Sequence, residues 1–259
     1  MMMERFRGTI ASIVAMLLRE TKEPTTTTVP IDALNDLYTA DSEDEVQIND
    51  LLEYISNASG EAISITSKGK QKLVKVLDKV SLWLMLYSLD INLADVTLLH
   101  WTDFEKLVQH AMSENGYITR KNFRFKDAKE KRHEVDIVAV DRYSKEHLMF
   151  LIDAKQWDYT ANSSTARILE AANEQFLRCI ALGDTPSELS SLFLDLGLEW
   201  NKCIIIPMVV TLLNPPVQNF FIPIVSILAF NNFILEFSSN MDSFKKKYVD
   251  GIPVQKKLK

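Results

Sequence analysis

Two apolar runs joined by one polar turn constrain this chain more than anything else in it. Arg132-His133-Glu134-Val135-Asp136-Ile137-Val138-Ala139-Val140 and Leu148-Met149-Phe150-Leu151-Ile152-Asp153-Ala154-Lys155 are rich in β-branched and apolar residues, and Asp141 to Glu146 between them is polar. This pattern predicts neighbouring strands of one hairpin. Strand side chains alternate faces, so Glu134 and Asp136 are expected on one side of the first strand, and Asp153 and Lys155 on one side of the second. An apolar strand that ends in acids and a lysine is a poor way to build a core. Carboxylates converging from two strands do suit a hard divalent cation, and Mg²⁺ takes oxygen ligands while keeping several waters.

The segments around the hairpin predict an α/β architecture. Thr102 to Asn115 reads as a helix closed by Gly116, Tyr117 to Phe125 as a strand, and Ser164 to Leu182 as a helix with Leu169, Ala172, Phe176, Cys179 and Ile180 on one face. Ser187 to Leu198 predicts a further helix and Cys203 to Leu213 a buried strand. Ile222 to Ser226 is expected as a last strand, with two closing helices up to Tyr248. Helix, strand, hairpin, helix, strand gives a mixed sheet with helices on its faces.

Upstream, Glu4 to Glu20 carries apolar residues at helical spacing, and Lys22 to Pro30 is a breaker with four threonines between two prolines. Ile31 to Thr39 and Val46 to Asn57 read as short helices and Ala62 to Thr66 as a strand. Ser67 to Lys70 reads as a turn and Gln71 to Leu89 as one long helix. This order resembles a winged-helix module, with Ile65 to Lys70 like a wing. The expected division is a helical, winged-helix-like domain over 1–99, ending in a linker around Ile91 to Leu99, and a second domain over 100–259.

Charge is unevenly spread. Residues 1–100 carry 9 basic and 15 acidic residues, and 101–259 carry 20 of each. Arg120 to Arg132 holds seven basic residues against two acids, a local patch of the kind that contacts phosphate. The helix expected at Val46 to Asn57 carries Asn49, Asp50 and Glu53 and no lysine or arginine. It is better suited to a protein partner than to DNA.

Two cysteines, Cys179 and Cys203, make no framework, so a reducing, cytoplasmic setting is expected. Four scattered histidines have no zinc spacing. Met1 to Arg19 reads as an amphipathic helix rather than a signal peptide, and Pro223, Asn231, Asn232 and Glu236 argue against a membrane span over Phe220 to Phe237.

Taken together, Glu105 on a helix, Asp136 on one strand and Asp153-x-Lys155 on the next resemble the PD-(D/E)xK nuclease superfamily. Trp101-Thr102-Asp103-Phe104-Glu105, His133-Glu134-Val135-Asp136 and Asp153-Ala154-Lys155-Gln156-Trp157 are similar to an archaeal restriction-endonuclease-like group related to Mrr-type enzymes and Holliday-junction resolvases. The resemblance covers roughly residues 101–235. It implies an αβββαβ restriction-endonuclease-like core and an Mg²⁺- or Mn²⁺-dependent endonuclease acting on double-stranded or branched DNA. Asp136, Asp153 and Glu105 would be metal ligands, and Lys155 the catalytic lysine that positions water and stabilises charge. Asp153 stands where many relatives have glutamate.

Plainer readings stand beside these. Asp153 and Lys155 alone make a surface ion pair, and Thr102-x-x-Glu105 is also a capping box. Glu134 is either an extra ligand or a surface acid, and Gln175 either reaches the site or faces solvent. Arg120, Lys121, Arg124, Lys131 and Arg132, with Lys126 and Lys129, either grip the nucleic-acid backbone or form a solvated loop. Trp157 and Tyr159 either stack on bases or cover the sheet edge. The competing function is a non-catalytic DNA- or protein-binding regulator on a nuclease-like scaffold. Homodimerisation is expected because two DNA strands need two sites, and the acidic N-terminal half is expected to contact a protein partner or modulate access.

Overall fold

In a computed structural model, which describes residues 6–23, 25–35, 37, 47–89, 99–156, 164–212, 215 and 221–255, the chain divides into two units, Met1–Phe104 and Glu105–Lys259. The first unit starts with helix α1 (Arg7–Glu20), whose Ile10, Ile13, Val14, Leu17 and Leu18 recur at helical spacing and are all buried. Strand β1 (Thr28–Pro30) and the short helix α2 (Asp32–Asn35) follow. Helix α3 (Ile48–Ala58) buries Leu51, Leu52 and Ile55 and leaves Asp50, Glu53 and Asn57 exposed. Strands β2 (Ile63–Lys68) and β3 (Gln71–Val76) complete an antiparallel sheet of order β1-β3-β2, before helix α4 (Lys79–Ser88).

The single helix expected over Gln71 to Leu89 is therefore a strand followed by a helix. Gly69, at φ 65°, makes a two-residue turn that pairs Lys68 with Gln71 and starts the return strand. Val74 and Val76 then alternate into the core. Asp78 stops the strand by capping α4, its Oδ1 accepting the N–H groups of Val80 at 2.9 Å and Ser81 at 3.2 Å. The expected linker at 91–98 lies outside the described residues.

Helix α5 (Trp101–Glu114) leads into the second unit and ends at Gly116, whose φ of 84° is the left-handed conformation that closes a helix. The second unit is built on a mixed sheet flanked by helices. Strands β4 (Ile118–Lys126), β5 (Arg132–Val140) and β6 (Leu148–Lys155) form an antiparallel meander. Helices α6 (Ser164–Gly183) and α7 (Pro186–Leu196) carry the chain back to β7 (Lys202–Thr211), parallel to β6. A parallel neighbour needs such a crossover, because a tight turn cannot reverse the chain twice. Strand β8 (Ile224–Ser226) is parallel to β7, giving the order β4-β5-β6-β7-β8.

Helix α8 (Phe230–Asn240) is followed by a short 3₁₀ turn and then strand β9 (Lys247–Asp250), antiparallel to β7. The second closing helix expected up to Tyr248 is absent from these described residues. Val249 is instead drawn into the sheet opposite Cys203, where it is buried.

The core lies on both faces of β6 and β7. Leu151, Met149, Val138 and Ile205 meet Cys179 and Leu182 of α6 and Leu189, Leu192 and Phe193 of α7. On the other side Phe150 packs edge-on against Tyr117 at 5.6 Å and against Phe237 of α8 at 4.8 Å. Burial on both faces explains why β6 and β7 are almost continuously apolar rather than alternating. No helix among the described residues is long and apolar enough to cross a membrane.

Leu151 is fully buried and pairs with Val138 and Pro207. Leu151→Ala should cost about 2–5 kcal/mol of unfolding free energy in denaturant titration. A cost below about 0.5 kcal/mol, the range of surface changes, would contradict this placement.

Candidate functional site

The β5–β6 ladder runs from Val140–Met149 to Ile137–Ile152, so the next step places Asp136 and Asp153 opposite one another. Regular pleating ends there. Val135 and Val138 belong to the same buried cluster under α6 and α7, although residues three apart in a strand point to opposite faces. The break between them falls at Asp136 and Ile137.

Strand β4 is irregular at the same level. Lys121 and Phe123 pair with Ile137 and Val135, and Asn122 between them sits opposite Asp136 with φ 51°. Asparagine tolerates this left-handed conformation better than other non-glycine residues, and backbone strain of this kind concentrates at functional sites. The opened pleat lets Asp136 Oδ2 accept the main-chain N–H of Ala154 at 2.8 Å.

Asp153 is only 3% exposed and is held by two cations. Lys155 Nζ lies 2.9 Å from its Oδ2 and 3.0 Å from its Oδ1, and Arg178 Nη1 donates to Oδ1 at 3.2 Å. Arg178 Nη1 also donates to Gln175 Oε1 at 2.7 Å, and its Nη2 lies 3.7 Å from Glu174 Oε2. Gln175 is fully buried, and its Nε2 has no hydrogen-bond partner among the described residues. Gln175 therefore reaches the Asp153 neighbourhood rather than solvent. The ion pair of Asp153 and Lys155 is not a surface one, because the acid is enclosed.

Glu105, from α5, is buried and faces Lys121, whose Nζ is 3.5 Å from its Oε2. Burial raises its carboxyl pKa, Lys121 opposes that shift, and the charges of Glu134 and Lys155 also reach it. The alternative capping box with Thr102 is not formed in this geometry. The helix starts at Trp101, so Thr102 lies inside the first turn, and the His100 carbonyl accepts the N–H groups of Asp103 and Phe104. Glu134 lies at the rim in a two-point pair with Arg124, at 3.1 and 3.2 Å.

The electrostatic consequence is concentrated on Asp136. Burial first, then the charge of Asp153, push its carboxyl up to about 6, while the Ala154 N–H and Lys155 pull it down. A partly buried carboxylate that repels its neighbour is a site prepared for added positive charge. Among the described residues no three His, Cys, Asp or Glu side chains form a group able to hold a metal by themselves. Mg²⁺ and Mn²⁺ do not require one, since Mg²⁺ is commonly held by one or two carboxylates and otherwise by water and phosphate. The hard oxygens of Asp136 and Asp153 fit that kind of cation, with Glu105 near enough to act on both Asp136 and Lys155.

The basic residues singled out in the sequence separate into distinct places. Lys121 enters the carboxylate cluster through Glu105. Arg120 pairs with Asp195 of α7 at 3.7 Å. Arg124 and Arg132 line an open cleft of about 540 Å³ together with Lys126, His133, Glu134 and Glu188. Lys131 is exposed in the turn before β5, with its main-chain N–H bound to Asp127 Oδ1 at 3.0 Å. Trp157 and Tyr159 lie outside the described residues.

Arg178 is the residue that sequence reasoning missed. Of the expected apolar face of α6, Ala172 and Cys179 are buried, while Leu169, Phe176 and Ile180 are only partly buried. The face actually buried is Ile168, Ala171, Ala172, Gln175, Cys179 and Leu182, rotated to include a polar residue. A glutamine in phase with alanines and a cysteine, with an arginine three residues on, was the available signal.

No protein-family model matches the chain, and no curated protein matches it. Two solved structures do. The crystal structure of the protein of unknown function AF1548 is 15% identical, with a TM-score of 0.31 over 49% of this chain and 57% of that one. That of protein VC1899 from Vibrio cholerae is 11% identical, with a TM-score of 0.34 over 91% of this chain and 52% of that one. The chain thus spans little more than half the length of either structure, and neither likeness bears on its fold or function.

Asp136 gives a stability prediction. Because its folded pKa is raised to about 6, the folded state holds the proton more tightly than the unfolded chain, and this favours folding at acid pH. That contribution is lost as pH rises through about 6, leaving a partly buried charge at neutral pH. Asp136→Asn, which keeps an acceptor for Ala154, should therefore stabilise the protein by roughly 1–3 kcal/mol at neutral pH, and by much less near pH 4. Equal effects in thermal or denaturant unfolding at both pH values would contradict the buried-charge account.

Proposed function

We propose that the protein is a divalent-metal-dependent deoxyribonuclease of the PD-(D/E)xK type. The observation that carries this reading is the convergence of Asp136 and Asp153 on opposed strands, with Lys155 Nζ 2.9 Å from Asp153. The order α5-β4-β5-β6-α6-α7-β7 supports a restriction-endonuclease-like core, with α7 as an added helix. A bound Mg²⁺ or Mn²⁺ would supply Lewis acidity and charge neutralisation at the scissile phosphate.

The chain's own groups do the rest. Asp136 and Asp153, at the opened end of the β5–β6 ladder, would hold the cation. Lys155 keeps a positive charge beside the reacting phosphate, where negative charge grows during attack. With Asp153 beside it, Lys155 is suited to orient water and stabilise charge rather than to remove a proton. Lys121 holds Glu105 in place next to the pair. Arg124 and Arg132, in the cleft at the far end of the β4–β5 hairpin, would grip the DNA backbone.

For the first unit the reading is a winged helix, supported by the order α1-β1-α2-α3-β2-β3-α4 and the sheet order β1-β3-β2. Its α3 exposes Asp50 and Glu53, which repel phosphate, so its role here is contact with a protein partner.

The test is incubation with linear duplex, single-stranded and four-way-junction DNA and Mg²⁺ or Mn²⁺. Cleavage should stop on chelation and fall by at least about 10²-fold in Asp153→Ala and Lys155→Ala, the scale for losing one charge-stabilising group. At sub-saturating metal it should also fall as pH drops through about 6, where protons and the cation compete for Asp136. Cleavage that survives both substitutions removes the assigned site.

A further inference from the structure

Asp153 has more positive charge around it than one carboxylate needs. Lys155 alone would balance it, yet Arg178 arrives from α6 and donates to Asp153 Oδ1 at 3.2 Å. Counted together, the inner cluster matches three carboxylates, Glu105, Asp136 and Asp153, with three cations, Lys121, Lys155 and Arg178, and Glu174 lies outside it against Arg178. It is close to neutral by itself. A dication added to Asp153 would make it strongly positive unless one of the cations moves or an anion enters.

Arg178 is the cation built to move. Its side chain is 24% exposed, close to the 29% of Lys155, so what separates the two cations is their other partners. It also has an outer carboxylate within reach, Glu174, whose Oε2 lies 3.7 Å from Nη2 and whose side chain is 60% exposed. Lys155 sits on the strand itself, two residues from Asp153, and the other carboxylates it acts on, Asp136 and Glu105, lie inside the same cluster. The link of Arg178 to Gln175 Oε1 at 2.7 Å keeps the guanidinium near the site after it leaves Asp153. A planar guanidinium with several N–H groups then matches two oxygens of a phosphodiester.

We infer that Arg178 is a positioning residue that takes the place of the divalent cation on Asp153 and transfers to a phosphate oxygen when cation and nucleic acid bind. This rests on the cation-dependent reading above and adds to it a coupling: cation and phosphodiester bind better together than apart. By linkage the coupling is reciprocal. The site would thus load its metal chiefly when a nucleic-acid strand is present.

The experiment is calorimetric titration of the full-length protein with Mn²⁺, alone and with a phosphorothioate duplex that resists cleavage. In the wild type the duplex should tighten Mn²⁺ binding by about tenfold or more, the effect of a neighbouring charge on a titratable group. Arg178→Gln should bind Mn²⁺ alone about tenfold more tightly than the wild type and gain less from the duplex. Arg178→Lys keeps the charge and should bind Mn²⁺ alone near the wild type, but without the planar fork it should gain less from the duplex.

Asp153→Asn should abolish binding in every arm. If wild-type binding depends on Asp153 but Arg178→Gln binds Mn²⁺ no more tightly, the inference is overturned and the nuclease reading stands. If Mn²⁺ binds without regard to Asp153, or does not bind with or without duplex, both are overturned. Thermal melting without metal identifies an unfolded variant. Should Arg178→Gln fail to fold, the wild-type titrations decide: no tightening by duplex overturns the inference.

Discussion

Two carboxylates facing each other across neighbouring strands, one enclosed and one partly buried, are the interaction on which the second unit depends. Such a pair is costly, because burial disfavours each charge and each disfavours the other. Asp136 registers that cost as a carboxyl pushed up to about 6. Asp153 is relieved by Lys155 and Arg178, and Glu105 by Lys121. The surrounding sheet can bear the expense because β6 and β7 are buried on both faces, and α6 and α7 seal one of them. Proteins commonly give up stability in this way where chemistry requires an unfavourable arrangement.

The local backbone follows from the same constraint. An unbroken β5–β6 ladder would leave the Asp136 carboxylate without its bond to Ala154. The pleat breaks between Val135 and Val138, Asn122 of the edge strand adopts a left-handed conformation alongside, and the carboxylate takes the Ala154 N–H. Strain in β4 and charge in β5 therefore sit at one level of the sheet. The basic run of Arg120 to Arg132 is also shaped by this geometry. Lys121 is used inside the cluster, while Arg124 and Arg132 remain at an open cleft.

Much of this was legible in the sequence, for identifiable reasons. The β5 and β6 strands were marked by β-branched residues and a polar turn, and their acids stood out against an apolar background. Helix α1 and strand β7 were equally plain. The break of pleat at Asp136 was not legible, because strict alternation is the only pattern that a strand sequence announces. Arg178 was hidden because the buried face of α6 includes a polar residue, Gln175, which shifts the apparent apolar stripe by one position. The β3 strand was hidden by its lysines and by the long apolar helix that follows Asp78. There the turn at Gly69 and the cap at Asp78 decide the outcome, and each is carried by a single residue.

The most direct measurement of the central claim is an anomalous-scattering map at the manganese edge from a crystal of the protein grown with Mn²⁺ and a phosphorothioate duplex that resists cleavage. The account predicts a peak at about 2.0–2.3 Å from carboxylate oxygens of both Asp136 and Asp153, the distance range of hard divalent cations. A well-ordered site without that peak, or with the manganese bound elsewhere, would contradict it.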